Sequence, residues 1–215
     1  CLDSDDWMEP DYLECLLNFT LENDLDIAVC GTMFHVEETG QTVPRACEED
    51  FVLNRSDYAQ QFMYYHVFFR ATWAKLIKSD IAKHDCQLRK EILYGGDTAL
   101  CFEWLRLTKK IGVTSKVLHH YRVHPSSLSY RYDSLRFAAD LALFQDALDF
   151  LKPYGPISAQ NLTFLYIVYC NALSDTLNVI DNSDLSAHDK LEEYKKIALE
   201  PITRQAYQIK DDSAK

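Results

Sequence analysis

Behind Pro10, the apolar residues Tyr12, Leu13, Leu16 and Leu17 repeat at helical spacing, which predicts a helix with those four inward. Ahead of it, Cys1 and Leu2 read as the end of a buried strand and Asp3 to Trp7 as the loop at its carboxyl end. Asp26 to Phe34 predicts a strand, whereas Glu37 to Asp50, polar and holding Gly40 and Pro44, predicts a loop. Ser56 then caps a helix from Asp57 to about Tyr65, and Val67 to Ile77 is aromatic and β-branched enough for one or two short strands. A further helix opens near Gly96 or Asp97 with Leu100, Trp104 and Leu107 on one face; Gly112 ends it, and Val113 to Val123 alternates like a strand.

Beyond Pro125 the rhythm becomes helical throughout. Asp133 to Leu151 carries Leu141, Phe144, Leu148 and Leu151 on one stripe and is broken by Pro153, Gly155 and Pro156. Ser158 to Ile180 is apolar nearly all round, and a third helix from His188 to Leu199 stops at Glu200 and Pro201. The expected architecture is α/β, a mixed α/β body over residues 1–130 followed by an α-helical C-terminal region over 131–215, with a disordered polar tail from about Lys210.

The 215 residues are enough for one domain or two small ones, and 47% hydrophobic with 26% charged residues excludes disorder as the dominant state. With 22 basic and 33 acidic residues the net charge is −11, which disfavours nucleic acid or an anionic membrane as an electrostatic partner and suits a divalent cation. Seven dispersed cysteines without a Cys-x-x-Cys pair argue against a disulfide scaffold or structural zinc and for a reducing compartment. The longest apolar stretch, Phe164 to Cys170, is about a third of the ~20 residues a membrane helix needs. A cytoplasmic protein is expected, with peripheral placement at the inner face of the membrane left open. Only six glycines are present, with no glycine-rich phosphate loop, and the first residue is Cys1; the chain reads as cut from something longer.

Asp3, Asp5 and Asp6 repel one another if all are ionised, so a compensating cation is expected, and a loop after a strand of an α/β sheet is the usual ligand position. Oxygen donors suit magnesium, calcium or manganese. The plainer reading is that the carboxylates cap the next helix, a role that Asp6 or Glu9 alone would fill. An EF-hand is excluded, because Trp7 falls on its fifth position and Met8 on the glycine position.

Leu2-Asp3-Ser4-Asp5-Asp6-Trp7 resembles the Asp-x-Asp segment of the family-2 glycosyltransferases, inverting nucleotide-sugar enzymes of the GT-A fold. Later segments recur in that family's order. Trp73-Ala74-Lys75-Leu76 is similar to its Trp-x-Lys-Leu segment, and Gly95-Gly96-Asp97 resembles the Gly-Glu-Asp that opens a helix. Tyr121-Arg122-Val123-His124-Pro125-Ser126-Ser127-Leu128-Ser129 resembles the closing Tyr-Arg-x-His-x-x-Ser-x-Ser. The resemblance covers residues 1 to about 130 and implies the carboxyl-terminal part of a GT-A-type body, starting at the Asp-x-Asp motif. The fragment by itself is expected to be inactive, since the family's base-recognising region precedes that motif.

The resemblance also implies roles. Asp3 would contact the donor ribose and Asp5 a divalent cation, Mn2+ or Mg2+, with Asp6 helping; His124 would be a further metal or diphosphate ligand. Asp97 would be the general base that takes the acceptor hydroxyl's proton, although a helix cap is the common role of a lone aspartate there. Gly96 departs from the family's glutamate. Gly95, Gly96 and Trp73 are candidate acceptor contacts, Trp73 otherwise a core residue. His119 and His120 read as alternating strand positions without a ligand role, and Ser126, Ser127 and Ser129 as phosphate contacts or turn formers. The partners implied are a nucleotide-diphospho-sugar donor and a glycan or other hydroxyl acceptor, in bacterial cell-surface polysaccharide synthesis. The alternatives are a non-catalytic helical interaction module with a vestigial acidic loop, and, disfavoured for want of clustered histidines, a metal-dependent hydrolase.

Overall fold

The structure, a computed structural model, describes residues 1–86, 94–124 and 131–213, with side chains to residue 208. It divides into two compact units: residues 1–87 with 100–127, and residues 88–99 with 128–215. Residues 94–99, which the sequence reading grouped with the α/β body, thus fall in the helical unit.

The first unit is a mixed sheet built on two long neighbours, β2 (Ile27–Val36) and β6 (Lys110–Val123), which run parallel. The first six residues of β2 and Ile111 to Thr114 of β6 are buried, which is why Ile27 to Cys30 reads as a continuous apolar run, whereas the later part of β6 alternates. Strands β1 (Trp7–Met8) and β4 (Phe51–Asn54) pair antiparallel with β6, and β3 (Gln41–Arg45) and β5 (Lys75–Ile77) with β2. The β2–β6 register shifts between Val29 and Thr32, since Val29 pairs with Val113 but Gly31 with Val117. Asp50 secures the extra residues of β6: its Oδ1 accepts from the Thr114 hydroxyl at 3.0 Å and from the Ser115 amide at 2.7 Å. Beyond the bulge, Thr32 and Met33 lie opposite His119 and His120.

Helix α1 (Tyr12–Asn23) packs Tyr12 and Leu16 against Leu25, Ala28, Cys30 and Leu118. Leu13 and Leu17, expected inward, are 65% and 49% exposed, because the buried stripe runs through Tyr12, Leu16 and Phe19 instead. Gly112 lies inside β6 rather than at a helix end; a Cβ there would sit 2.5 Å from Leu25 Cδ1 and 2.8 Å from Phe19 Cε1. The glycine is what lets α1 and the following turn lie close to the sheet.

Other expectations need correction. Cys1 and Leu2 are exposed and not in a strand, while the supposed loop residues Trp7 and Met8 pair with β6. The expected loop of Glu37 to Asp50 contains β3, whose Pro44 is tolerated because β3 is an edge strand. In place of one helix from Asp57 to Tyr65 there are a 3₁₀ turn at Arg55–Asp57 and the short α2 (Phe62–Tyr65). Ser56 does not cap it; its hydroxyl donates to Asp57. Of Val67 to Ile77 only β5 is a strand, followed by α3 (Ser79–Ala82). Of the aromatic residues that suggested strands, Phe69 instead joins a buried ring cluster with Tyr58, Phe62 and Tyr65. Helix α4 (Gly96–Leu107) begins where expected.

In the second unit, α5 (Arg136–Leu151), α6 (Ala159–Asp181) and α7 (Ala187–Leu199) match the helical rhythm. Ser158 and Ser186 cap α6 and α7 by accepting from the Asn161 and Asp189 amides. Helix α7 stops before Glu200 as expected, and Pro201 then opens a further helix, α8 (Pro201–Ser213), where the absence of its N–H is harmless, so that residues 210–213 of the expected polar tail are helical. Phe144 of α5 packs on Tyr166 and Tyr169 of α6, and the Tyr169 hydroxyl meets Thr203 Oγ1 of α8 at 2.8 Å. Among the described residues no helix is long and apolar enough to cross a membrane.

Candidate functional site

The acidic turn closes on itself through the Asp6 amide, which donates to the Asp3 carbonyl at 3.2 Å. This sorts the three carboxylates. Asp3 and Asp5 point to solvent, whereas the Asp6 side chain is 1% exposed and faces β6. Asp6 Oδ1 accepts from the Arg122 amide at 3.0 Å, and Oδ2 lies 3.5 Å from His119 Nε2, too loosely placed to be a hydrogen bond. Burial, then the charges of Asp5 and Asp3, push the Asp6 carboxyl above its usual range, against the opposing Arg122 amide. His119 is fully buried, and burial pulls its pKa down to about 4, so near neutrality the imidazole is uncharged. The indole of Trp73 stacks on it at 4.8 Å and also meets Tyr121 and Phe34.

Short strand β1 carries the turn straight into a second set of contacts. Trp7 lies flat on the ring of His120, 4.9 Å between centroids. Glu9 Oε1 is 2.9 Å from His120 Nε2, and His120 Nδ1 is 2.9 Å from His35 Nε2. At the ends of β2 and β6, Glu37 holds Arg122 at 3.3 Å through Oε1 and His124 Nε2 at 3.2 Å through Oε2. The acidic turn is therefore fixed, through Asp6, to the strand end that carries His124. Among the described residues no three His, Cys, Asp or Glu side chains converge as a metal-holding group.

Trp73 and Lys75 of the Trp-x-Lys-Leu segment do different work. Ala74 between them has φ 59, an unusual value for a residue with a Cβ. The buried Lys75 ammonium donates to the carbonyls of Ala71 at 2.6 Å and Trp73 at 3.2 Å, which holds that turn shut and sets the angle of the indole.

In the second unit, Gly95 takes φ 74, and Asp97 is the exposed second residue of α4. Gly95 O accepts from the Thr98 and Ala99 amides at 3.0 and 3.3 Å, so the helix starts on the glycine pair. A Cβ on Gly96 would meet no atom within 4 Å. Ser126, Ser127 and Ser129 lie outside the described residues.

Sequence reasoning missed the partners of the acidic turn. It identified the alternation of His119 and His120, but gave neither a role and gave no special part to His35 or Glu37, because their neighbours are set by the β2–β6 register. A buried histidine two or three residues before an Arg-x-His segment was the one available signal.

A sequence profile for Glycosyl transferase family 2 matches residues 1–85. EpsH of Bacillus subtilis (strain 168), named for glycosyltransferase activity, is 29% identical over 154 residues, 70% of this chain and 44% of that protein. Glycosyltransferase GlyA of Streptococcus pneumoniae serotype 4 is 31% identical over 137 residues, 60% of this chain and 19% of GlyA. The chain thus spans less than half the length of either relative. Among solved structures, TarS 1-349 of S. aureus in complex with UDP-GlcNAc superposes with TM-score 0.52 at 14% identity, covering 83% of this chain and 56% of that one. That likeness speaks for the fold alone. Residues 1–85 thus resemble the family-2 glycosyltransferases, and the chain has a GT-A-type mixed α/β body followed by a helical C-terminal region.

Proposed function

We propose that the protein containing this chain transfers a sugar, with inversion, from a nucleoside diphosphate donor to an acceptor hydroxyl, assisted by a divalent cation. The observation that carries the reading is the sorting of the acidic turn: Asp6 is buried and accepts from the Arg122 amide, and this leaves Asp3 and Asp5 exposed to solvent. Nothing in the packing of the turn needs Asp3 or Asp5 to be acidic, and their mutual repulsion disfavours them without a ligand. The donor set fits a Mn2+ or Mg2+ ion bound together with a diphosphate, because such an ion takes one or two carboxylates and completes its shell with phosphate and water. It would supply charge neutralisation on the leaving diphosphate.

The chain's own residues divide the remaining work. Asp5 and Asp3 hold the donor's charged and ribose ends, and His124, steered by Glu37, faces the same diphosphate. Asp97 accepts the proton of the acceptor hydroxyl as that oxygen bonds to the anomeric carbon and the bond to the diphosphate breaks, a single displacement. Trp73, Gly95 and Gly96 are assigned to the acceptor side, and a glycan of the bacterial cell surface is the acceptor class the reading favours. That TarS was crystallised with UDP-GlcNAc supports a nucleotide-sugar donor of this kind.

The test is Asp97→Asn in the full-length protein that contains this chain. Turnover should fall by about 10²–10⁴-fold, while nucleoside diphosphate and Mn2+ binding stay as they were. Undiminished transfer would remove Asp97 from the mechanism.

A further inference from the structure

Arg136 of α5 is 3% exposed, and its guanidinium is bound within the second unit. Nη2 donates to the Tyr94 hydroxyl at 2.9 Å, the guanidinium carbon lies 4.0 Å over the Tyr94 ring, and Nε donates to Thr176 Oγ1 of α6 at 3.0 Å. The Thr176 hydroxyl, 1% exposed, passes its own proton donation to Asp140 Oδ2 at 2.6 Å. Donation therefore runs in one direction, Arg136 to Thr176 to Asp140, with the buried carboxylate balancing the buried guanidinium. One turn further along α5, Leu143 packs where a Cβ on Gly95 would stand, 2.5 Å from its Cδ1.

Tyr94 and Gly95 are the two residues that lead into Gly96 and Asp97. Both are gripped by α5, and the grip is of the specific kind: a planar fork on a hydroxyl and a ring, plus Leu143 seated against a Gly95 whose left-handed backbone favours glycine. Residues 94–99 accordingly cluster with the helices rather than with the sheet. We propose that Arg136, oriented by Thr176 and Asp140, is a positioning residue for Asp97: α5 and α6 form the mount that fixes Tyr94, Gly95 and the first turn of α4. Its consequence for rate rests on the assignment of Asp97 as base; its consequence for local order does not.

The experiment compares Arg136→Lys, Tyr94→Phe and Tyr169→Phe in the full-length protein that contains this chain, with Asp97→Asn beside them. The first keeps the charge and loses the fork, and the second keeps the ring and loses the hydroxyl. The third is the control: it removes a buried hydroxyl contact with Thr203 in the same helices without touching Tyr94. Amide hydrogen exchange at Thr98 and Ala99 should accelerate about tenfold in the first two variants and not in the control. kcat should fall about tenfold in the same two, with donor KM held within about twofold. Should Arg136→Lys fail to fold, Tyr94→Phe carries the test alone. Unchanged exchange in Tyr94→Phe overturns the inference, whatever Asp97 does. Faster exchange with unchanged kcat overturns it if Asp97→Asn is inactive. If Asp97→Asn is fully active, the base assignment fails instead, and faster exchange still upholds the mount.

Discussion

Gly95 and Gly96 stand side by side and answer to different constraints. Gly95 combines a left-handed backbone with Leu143 against its α-carbon, so Gly95→Ala should cost about 1–3 kcal/mol through strain and overpacking together. Gly96 has open space and no positive φ, so Gly96→Ala should be neutral or stabilise by about 0.4–1 kcal/mol by restricting the unfolded chain. Denaturant midpoints of the pair check both, and equal losses would contradict the difference. Buried histidines supply a second residue-scale prediction. Burial lowers the pKa of His66 to about 3 and of His119 to about 4, against 6.5 in an exposed chain. Between those values the unfolded state binds more protons. Stability should therefore fall as pH drops below about 6.5, by about 1.4 kcal/mol per pH unit for each histidine, with the His119 contribution ending near pH 4. Asp6 opposes this, since burial raises its carboxyl and the folded chain takes up that proton first. Urea titrations between pH 7 and pH 4.5 should show a shallower fall for His66→Phe than for the natural chain; parallel curves would exclude His66 as a source.

At the scale of elements, the close seat of α1 on β6 depends on Gly112. Gly112→Ala places a methyl 2.5 Å from Leu25 Cδ1 and should destabilise by about 1–3 kcal/mol, measured by urea unfolding. A loss well below that would mean the α1 contact relaxes freely. The same glycine shows why some elements were legible and others not. Helices α4, α5, α6 and α7 announce themselves by period and by caps such as Ser158 and Ser186, which are local properties. Gly112 was misread as a helix stop because its real constraint comes from Phe19 and Leu25, some ninety residues away in sequence. Strand β3 was hidden for a related reason: an edge strand needs no apolar run, and its Pro44 is harmless only once the edge position is known. The outward turn of Leu13 and Leu17 likewise follows from where Tyr12 finds Lys75 O, at 3.3 Å.

The whole molecule carries a net charge of −11, which attracts divalent cations from every direction. At ~0.15 M salt, where the screening length is about 8 Å, that diffuse attraction should vanish and only located binding remain. Mn2+ titration with a nucleoside diphosphate should accordingly lose its weak component on adding salt, and Asp5→Asn should then abolish the rest. Retention of tight binding by Asp5→Asn at that salt would detach the metal from the acidic turn. What the sequence by itself determined is whatever depends on residues close in the chain: the helical second half, the β2 and β6 strands, and the ordered motifs that resemble those of the family-2 glycosyltransferases. Tertiary structure alone decided which carboxylate of Asp3, Asp5 and Asp6 is buried, that Glu37 meets His124, and that the segment leading into Asp97 belongs with the helices. Those outcomes turn on the register of β2 against β6 and on the packing of α5, pairings across tens of residues that no local pattern encodes.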